Sequence, residues 1–332
     1  MNQSTPLVSV VTPFYNTAEF LAACIESVLA QAYTNFEYIL LDNCSTDGSR
    51  EIAEQYARTD SRIRFFSPSE FVDQVPNYNR ALGLISPESR YCKLVQADDW
   101  IFPNCLSEMV QVGESDPRIG LIGGYALYET DVYLDGLPYP SVHTPGRQLA
   151  RRILLDGLAV TGTPTNLMVR SEIVRARSPF YDETCPIEDA VIIYHVLEQW
   201  DFGFVHQVVT FTRRANSGLM SSIGTYNPSL LVRLMAAHRH AQPFLTREEL
   251  RTLQATVDRD YLYYLGESVL RLRDRRFWEF QERVVTYAGL RFSPTRRAAY
   301  TVLAGLRAAL DPLGTWERIR RSRRLSNRPS DP

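Results

Sequence analysis

Asp98 and Asp99 stand side by side just after a short apolar run, Tyr91-Cys92-Lys93-Leu94-Val95. Adjacent carboxylates can hold a hard divalent cation, and such a cation commonly grips a diphosphate. Another acidic residue, Asp42, closes the run Tyr38-Ile39-Leu40-Leu41, and a third run, Val8-Ser9-Val10-Val11, ends in Thr12-Pro13-Phe14-Tyr15-Asn16. Glu188 and Asp189 open a stretch with Val191, Ile192, Val196 and Leu197 at helical spacing. The dipole of a helix stabilises carboxylates in its first turn, so this pair has a purely structural explanation available.

The elements that must position these residues alternate. Leu21, Ile25, Val28 and Leu29 follow helical spacing after the first run, with Asn16 and Glu19 resembling a capping box. Strand patterns at 38–41, 63–66 and 91–95 are interleaved with helical patterns at 48–58 and 77–85, Asp47 being a plausible cap of the first of these. Strands alternating with short helices indicate βαβ units and a mostly parallel sheet. Ligands of such sheets bind along the carboxyl edge, where the acidic residues fall. Beyond a helix from Pro103 to about Glu114, further strands are expected at 119–122 and 125–134, the two joined by a short glycine-containing turn. Helix is expected at 147–155 and 188–200, and strand at 165–170 and 204–211. From about Pro228 helical patterns dominate, with breaks near Pro243, Pro294 and Pro312 and a capping box at Thr246 and Glu249.

The 332 residues carry a net charge of −2, which gives no global pull toward nucleic acid. Lys93 is the only lysine, a bias from which the sequence alone yields no function. Five cysteines without CxxC spacing argue against a disulfide framework or zinc ribbon, and Cys24 and Cys92 fall inside apolar patterns as small core residues. The polar N-terminus lacks the pattern of a signal peptide, and no apolar stretch reaches bilayer length. The expected location is cytoplasmic, with contact to the inner face of a membrane as an option.

Five segments in order carry a family resemblance. They are residues 8–16; Ile25-Glu26-Ser27-Val28-Leu29-Ala30-Gln31; Asp42-Asn43-Cys44-Ser45-Thr46-Asp47-Gly48-Ser49; Gln96-Ala97-Asp98-Asp99; and Glu188-Asp189. Together they resemble the family 2 glycosyltransferases, whose GT-A fold is a Rossmann-like, mostly parallel α/β sheet flanked by helices. The resemblance covers roughly the first 220 residues. It divides the chain into a GT-A domain at 1–225, a helical extension at 226–315 and a basic, disordered tail at 316–332.

The resemblance implies an inverting, metal-dependent transfer of a sugar from a nucleoside-diphosphate sugar to a hydroxyl of a glycan or lipid-linked acceptor, in surface polysaccharide synthesis. It implies that Pro13 and Tyr15 flank the nucleobase, and that Asp42 accepts a hydrogen bond from its ring nitrogen, favouring uracil- or thymine-type donors. It further implies that Asp98 meets the ribose, that Asp99 ligates Mn²⁺ or Mg²⁺, and that Asp189 is the general base with Glu188 in support. Sequence leaves the reverse assignment of that pair open. Many relatives carry an acidic residue where this chain has Gln96, which leaves fewer carboxylates for the cation. Arg80 and Arg213 would approach the diphosphate. Trp100 would stack on a sugar face, and Thr163, in the loop 161–166, would border the acceptor cleft. Plainer alternatives exist: a loop aspartate satisfying backbone amides for Asp42, a core ring for Trp100, a solvated helix face for Arg80 and a surface salt bridge for Arg213.

Five arginines fall between Arg318 and Arg324. They suit anionic headgroups and hence a peripheral membrane contact, or a solvated tail. Two other function classes remain. A sugar nucleotidyltransferase would show a glycine-rich phosphate loop after the first strand, and 12–17 contains no glycine. A non-catalytic nucleotide- or glycan-binding relative would keep the pocket and lose the base.

Overall fold

The computed structural model describes residues 5–213 and 226–310. The chain forms two compact units: residues 1–183 with 188–214, and residues 184–187 with 215–332.

In the first unit, β1 (Val8–Phe14), β2 (Phe36–Asp42), β3 (Ile63–Phe66) and β4 (Tyr91–Leu94) are parallel, in the spatial order β3-β2-β1-β4. All seven residues of β1 are buried, as befits a central strand covered on both faces. The helix α1 (Ala18–Leu29) turns Leu21, Cys24, Ile25 and Val28 inward, one apolar stripe at 3.6-residue spacing. Truncating a side chain such as Leu21 to alanine costs about 2–5 kcal/mol through lost transfer energy and a residual cavity. The helices α2 (Ser49–Thr59) and α3 (Gln74–Leu82) complete the crossovers. Pro76 lies inside the first turn of α3, where an amide would have no helical partner, so this helix begins earlier than the sequence pattern suggests.

The other half of the sheet is mixed. β9 (Met168–Arg170) runs antiparallel to both β4 and β6 (Ile119–Tyr128), and β10 (Asp201–Thr212) runs parallel to β6. The short strands β5 (Trp100–Ile101) and β8 (His143–Thr144) pair antiparallel with β10, and β7 (Asp131–Tyr133) pairs with β6. The pair expected at 119–122 and 125–134 is therefore one strand through Gly123-Gly124, and the hairpin turns at 129–130. A Cβ on Gly123 would stand 2.8 Å from the Phe202 ring, and one on Gly124 would stand 2.8 Å from Val209. These glycines admit β10 at close range rather than making a turn. Residues 164–166 form a single 3₁₀ turn before β9, not the start of a strand. The helices α4 (Cys105–Ser115), α5 (Gly146–Asp156), α6 (Ser171–Ala176) and α7 (Glu188–Leu197) cover the sheet.

The second unit is helical among its described residues: α8 (Pro228–Met235), α9 (Arg247–Leu270), α10 (Arg275–Tyr287) and α11 (Pro294–Leu310). Thr246 and Glu249 close their capping box, and Asp274 caps α10 by accepting from the Phe277 amide. His238 pairs with Asp258 at 2.8 Å, while His240 faces Tyr287, so the two histidines are held by different partners. No described helix is long and apolar enough to cross a membrane. The arginine run 318–324 lies outside the described residues.

Candidate active site

Parallel register aligns the strand ends. Phe14 lies beside Asp42, Val11 lies beside Leu94, and the doublet follows the end of β4 by way of a tight turn in which the Asp99 amide donates to the Gln96 carbonyl at 3.0 Å. Tyr15, Asp42, Asp98 and Asp99 thus emerge along one carboxyl edge, as the alternation of strands and helices requires.

Asp99 is buried, at 2% exposure. Its Oδ1 accepts from the Arg213 amide at 3.0 Å, while its Oδ2 is buried without a hydrogen-bond partner. Burial, together with the neighbouring Asp98 charge, raises its pKa to about 7, against the opposing pull of Thr165 and Arg213. Asp98 is half-buried, and its carboxyl is also shifted up by burial. An orphaned carboxylate oxygen beside a second carboxylate is a donor set that fits a hard divalent cation. Among the described residues no third acidic, histidine or cysteine side chain joins them, so the diphosphate and water would have to complete a metal shell.

Arg213 folds over the doublet. Its Nε donates to the Asp98 carbonyl at 3.3 Å, and its guanidinium lies 4.4 Å from the Phe20 ring centre and 5.5 Å from that of Trp100. Trp100 stacks on Phe211, its cross-strand partner, at 3.6 Å with the rings parallel. One face of the indole is thereby occupied from within. Thr163 caps the 164–166 turn, its amide and hydroxyl both donating to Asn166 Oδ1.

A second cluster surrounds the end of β2. Asp42 is fully buried: Oδ1 accepts from the Ser45 amide, and Oδ2 accepts from Arg50 Nε and the Ser67 hydroxyl, each at 2.9 Å. Asn43 grips the Val72 backbone through both its amide groups, and Arg80 donates to the Glu70 carbonyl at 3.2 Å. These bonds fix the loop 67–73, which carries Phe71 to Tyr15 with ring centres 4.9 Å apart. Both rings are about half exposed, at 52% and 45%. Pro13 is not in a turn: it lies buried within β1 opposite Leu41, beyond the last β4 partner, where its missing amide costs no ladder bond. Asn16 does not cap α1 either. Its backbone has φ of 50°, its side chain accepts from the Thr46 amide, and Asp47 reaches across to the Ala18 amide while holding Ser49. Asp47 therefore serves two helix starts, and these bonds lower its pKa.

Glu188 and Asp189 lie in the first turn of α7, with Glu188 buried and Asp189 half-buried. Asp189 borders an apolar cavity of about 30 Å³ walled by Leu82, Leu94, Tyr181 and Ile192. Burial raises its pKa, opposed by the backbone amides at the start of its own helix. Tyr78, on α3, meets Gln96 Nε2 at 3.2 Å and Gln74 Nε2 at 2.8 Å through its hydroxyl, and burial raises its pKa, with smaller contributions from the Asp98 and Asp189 charges.

The structure thus brings Asp98, Asp99, Trp100 and Arg213 into one cluster, while Asp189 lies at the start of α7 beside the cavity walled by Leu94, Tyr181 and Ile192. Tyr15, Asp42 and Arg80 form a neighbouring cluster, while Pro13 backs it from within the sheet. Sequence reading missed Phe71, whose partner Tyr15 is remote in sequence, and Tyr78, which bonds Gln74 one turn earlier as well as Gln96. It also missed Lys93, which is fully buried and donates to the carbonyls of Thr165 and Leu167, the latter at 3.1 Å.

An α/β sheet with an acidic doublet at its carboxyl edge is the arrangement of GT-A glycosyltransferases. The family model "Glycosyl transferase family 2" matches residues 9–177. The chain belongs to that family. Glycosyltransferase GlyG of Streptococcus pneumoniae is 35% identical over 124 residues, 37% of this chain and 40% of GlyG, so the chain accounts for less than two thirds of that relative's length. Among solved structures, Staphylococcus aureus TarS in complex with UDP-GlcNAc has a TM-score of 0.60 at 15% identity, over 84% of this chain and 79% of that one. The mannosyltransferase PcManGT of Pyrobaculum calidifontis, in complex with GDP-Man and Mn²⁺, has a TM-score of 0.55 at 16% identity, over 98% and 86%. At these identities the two structures establish a shared fold.

Proposed function

We propose that the chain transfers a sugar from a nucleoside-diphosphate sugar to an acceptor hydroxyl, inverting the anomeric centre by a single displacement. The observation that carries this reading is the acidic doublet at the carboxyl edge of the sheet, with the buried, orphaned Oδ2 of Asp99.

The exposed Tyr15–Phe71 pair offers a wall for a nucleobase. The Asp42 carboxylate meets a base N–H once the Ser67 hydroxyl rotates away from Oδ2, which favours a uracil- or thymine-type donor. Asp98 faces the ribose, and Asp99 with Asp98 would hold Mn²⁺ or Mg²⁺. Bound there, the cation would neutralise charge developing on the leaving diphosphate. Arg213, seated over the doublet, keeps a positive charge on the same side. Arg80 supports the nucleotide indirectly, by anchoring the loop that carries Phe71. Asp189 removes the acceptor proton: a carboxylate with a raised pKa is a stronger base, and Glu188 supports it from the same helical turn. Trp100 and Thr163 shape the acceptor side through the Phe211 stack and the 164–166 turn. A glycan or lipid-linked acceptor for a surface polysaccharide suits this arrangement. Relatives support the donor class, since TarS was solved with UDP-GlcNAc and PcManGT with GDP-Man and Mn²⁺.

The test is a panel of nucleotide sugars with Mn²⁺ or Mg²⁺, reading nucleoside diphosphate release from wild type and Asp189→Asn. The variant should bind donor within about threefold of wild type while turnover falls about 10²–10⁴-fold. Turnover near wild type in Asp189→Asn refutes the base assignment.

A further inference from the structure

Charge is distributed unevenly along this chain. Residues 226–332 carry 20 arginines against 11 acidic side chains, whereas the preceding 225 residues carry 16 basic against 27 acidic ones. The basic part also presents an apolar surface. Helix α11 packs inward through Tyr300, which meets Tyr263 edge-on at 4.9 Å, and through Ala304, at 4% exposure. Its backbone touches α9 so closely that a Cβ on Gly266 would come within 2.6 Å of the Tyr300 carbonyl oxygen.

The opposite side of α11 is apolar as well. Ala299, Val302, Leu303, Leu306 and Leu310 are all exposed, Val302 at 62%, Leu306 at 54% and Leu310 at 85%. At 100° per residue these five occupy an arc of about 100°. A helix of a water-facing surface carries charges there. Here the charges are Arg296, Arg297 and Arg307, and Pro294–Leu310 contains no acidic residue. Arg296 and Arg307 fall at one margin of the apolar arc. Two more exposed leucines, Leu270 at 50% and Leu272 at 89%, stand at the end of α9, alternating with Arg271 and Arg273.

We propose that this face of α11 docks in the plane of an anionic lipid surface. Apolar side chains bordered by cations are the composition of an interfacial helix, which inserts its apolar side and keeps its cations at the headgroups. A helix of this length spans only about 25 Å, so it lies on a bilayer rather than crossing it. A second copy of the chain is the poorer occupant: α11 against α11 would bring arginines onto arginines with no carboxylate between them. The face lies wholly within the helical unit, and the inference does not depend on the transfer chemistry proposed above.

The experiment is co-sedimentation of the full chain with vesicles of phosphatidylcholine alone, and of phosphatidylcholine with about one-third phosphatidylglycerol. Wild type should partition onto the anionic vesicles at least about tenfold more strongly, and raised salt should weaken the binding. Leu303→Glu/Leu306→Glu should lower that partition at least about tenfold. Arg296→Glu/Arg307→Glu should lower it too, while leaving circular dichroism and nucleotide binding unchanged. All four positions are exposed, so folding should survive. The proposal is overturned if wild type does not bind anionic vesicles, or if the leucine variant binds as wild type does. The latter result would assign the attraction to the arginine-rich segment after α11. A wild-type dimer that the leucine variant converts to monomer, with vesicle binding unchanged, would likewise overturn it in favour of a second copy.

Discussion

Lys93 lets the site architecture be tested by one substitution. The side chain is fully buried on β4, and its ammonium donates to the carbonyls of Thr165 and Leu167. Those residues bracket Asn166, whose amide donates to Thr210 Oγ1 at 2.7 Å and whose oxygen accepts from Tyr133 at 2.8 Å. Thr165 Oγ1 accepts the Gln96 amide at 3.0 Å, two residues before the acidic doublet. A single cation therefore holds the turn that supports the Asp98–Asp99 loop. Burial lowers the Lys93 pKa, with the Asp99 charge among the smaller opposing effects. In Lys93→Met the aliphatic stem is kept and two buried carbonyls lose a charged donor. Each orphaned acceptor costs about 1–3 kcal/mol, and the relief of no longer burying an ammonium offsets part of that. The net expectation is about 2–4 kcal/mol of lost stability, or a fall in Tm of about 5–15 °C. Thermal denaturation reads the first effect. Calorimetric titration with UDP and Mn²⁺ reads the second, which is weaker metal-dependent nucleotide binding at a temperature where the variant is folded. A Lys93→Met protein with wild-type Tm and wild-type UDP affinity would refute the reasoning. A fall in Tm alone would confine Lys93 to stability.

Two further perturbations separate the parts of the site, and a third tests an ion pair remote from it. Asp99→Asn should weaken Mn²⁺-dependent UDP binding at least about tenfold by titration calorimetry, while the metal-free Tm holds or rises because a carboxylate disfavoured by burial and by Asp98 is replaced by a neutral amide. Tyr15→Ala and Phe71→Ala should each raise the UDP Kd about five- to hundredfold, the usual range for losing a base stack, with little change in Tm because both rings are exposed. Asp201 accepts from Arg118, His143 and the Gly146 amide, which hold its pKa down at about 2. Since the folded value is the lower one, its stabilisation is present above the unfolded pKa near 3.8 and is lost as pH falls toward 2. Asp201→Asn should therefore lower stability by about 1–2 kcal/mol at pH 7, the exposed Arg118 partner discounting the full linkage value. The gap to wild type in pH-dependent melting should close below pH 3.

Local patterns were enough to read the parallel half of the sheet. The strands at 36–42, 63–66 and 91–94 and their helices follow from periodicity within each segment, and parallel pairing then carries the terminal acidic residues to one edge. Apart from the start of α3, where Pro76 in the first turn is a local cause, the misreadings below share a partner distant in sequence. Gly123 and Gly124 read as a turn because nothing nearby shows that Phe202 and Val209 will crowd them. Asn16 read as a cap because its true partner is Thr46, while Asp47 takes over the start of α1 from a separate loop. Phe71 sits in a polar stretch without periodicity, and only the Asn43–Val72 and Asp42–Ser67 bonds show that its ring must face Tyr15.

The same reasoning explains how few carboxylates the site presents. Gln96 stands two residues before the doublet, and its amide side chain bonds the Tyr78 hydroxyl at 3.2 Å. An acidic side chain at 96 would place another negative charge beside a doublet in which Asp99 already has a pKa raised to about 7 by burial and Asp98. With only Asp98 and Asp99 offering carboxylates among the described residues, a cation bound there would depend on the nucleotide diphosphate to complete its shell. Gln96→Glu should therefore strengthen Mn²⁺ binding in the absence of nucleotide. Titration of the nucleotide-free variant with Mn²⁺ measures this, and an affinity no higher than wild type would show that position 96 does not reach the cation.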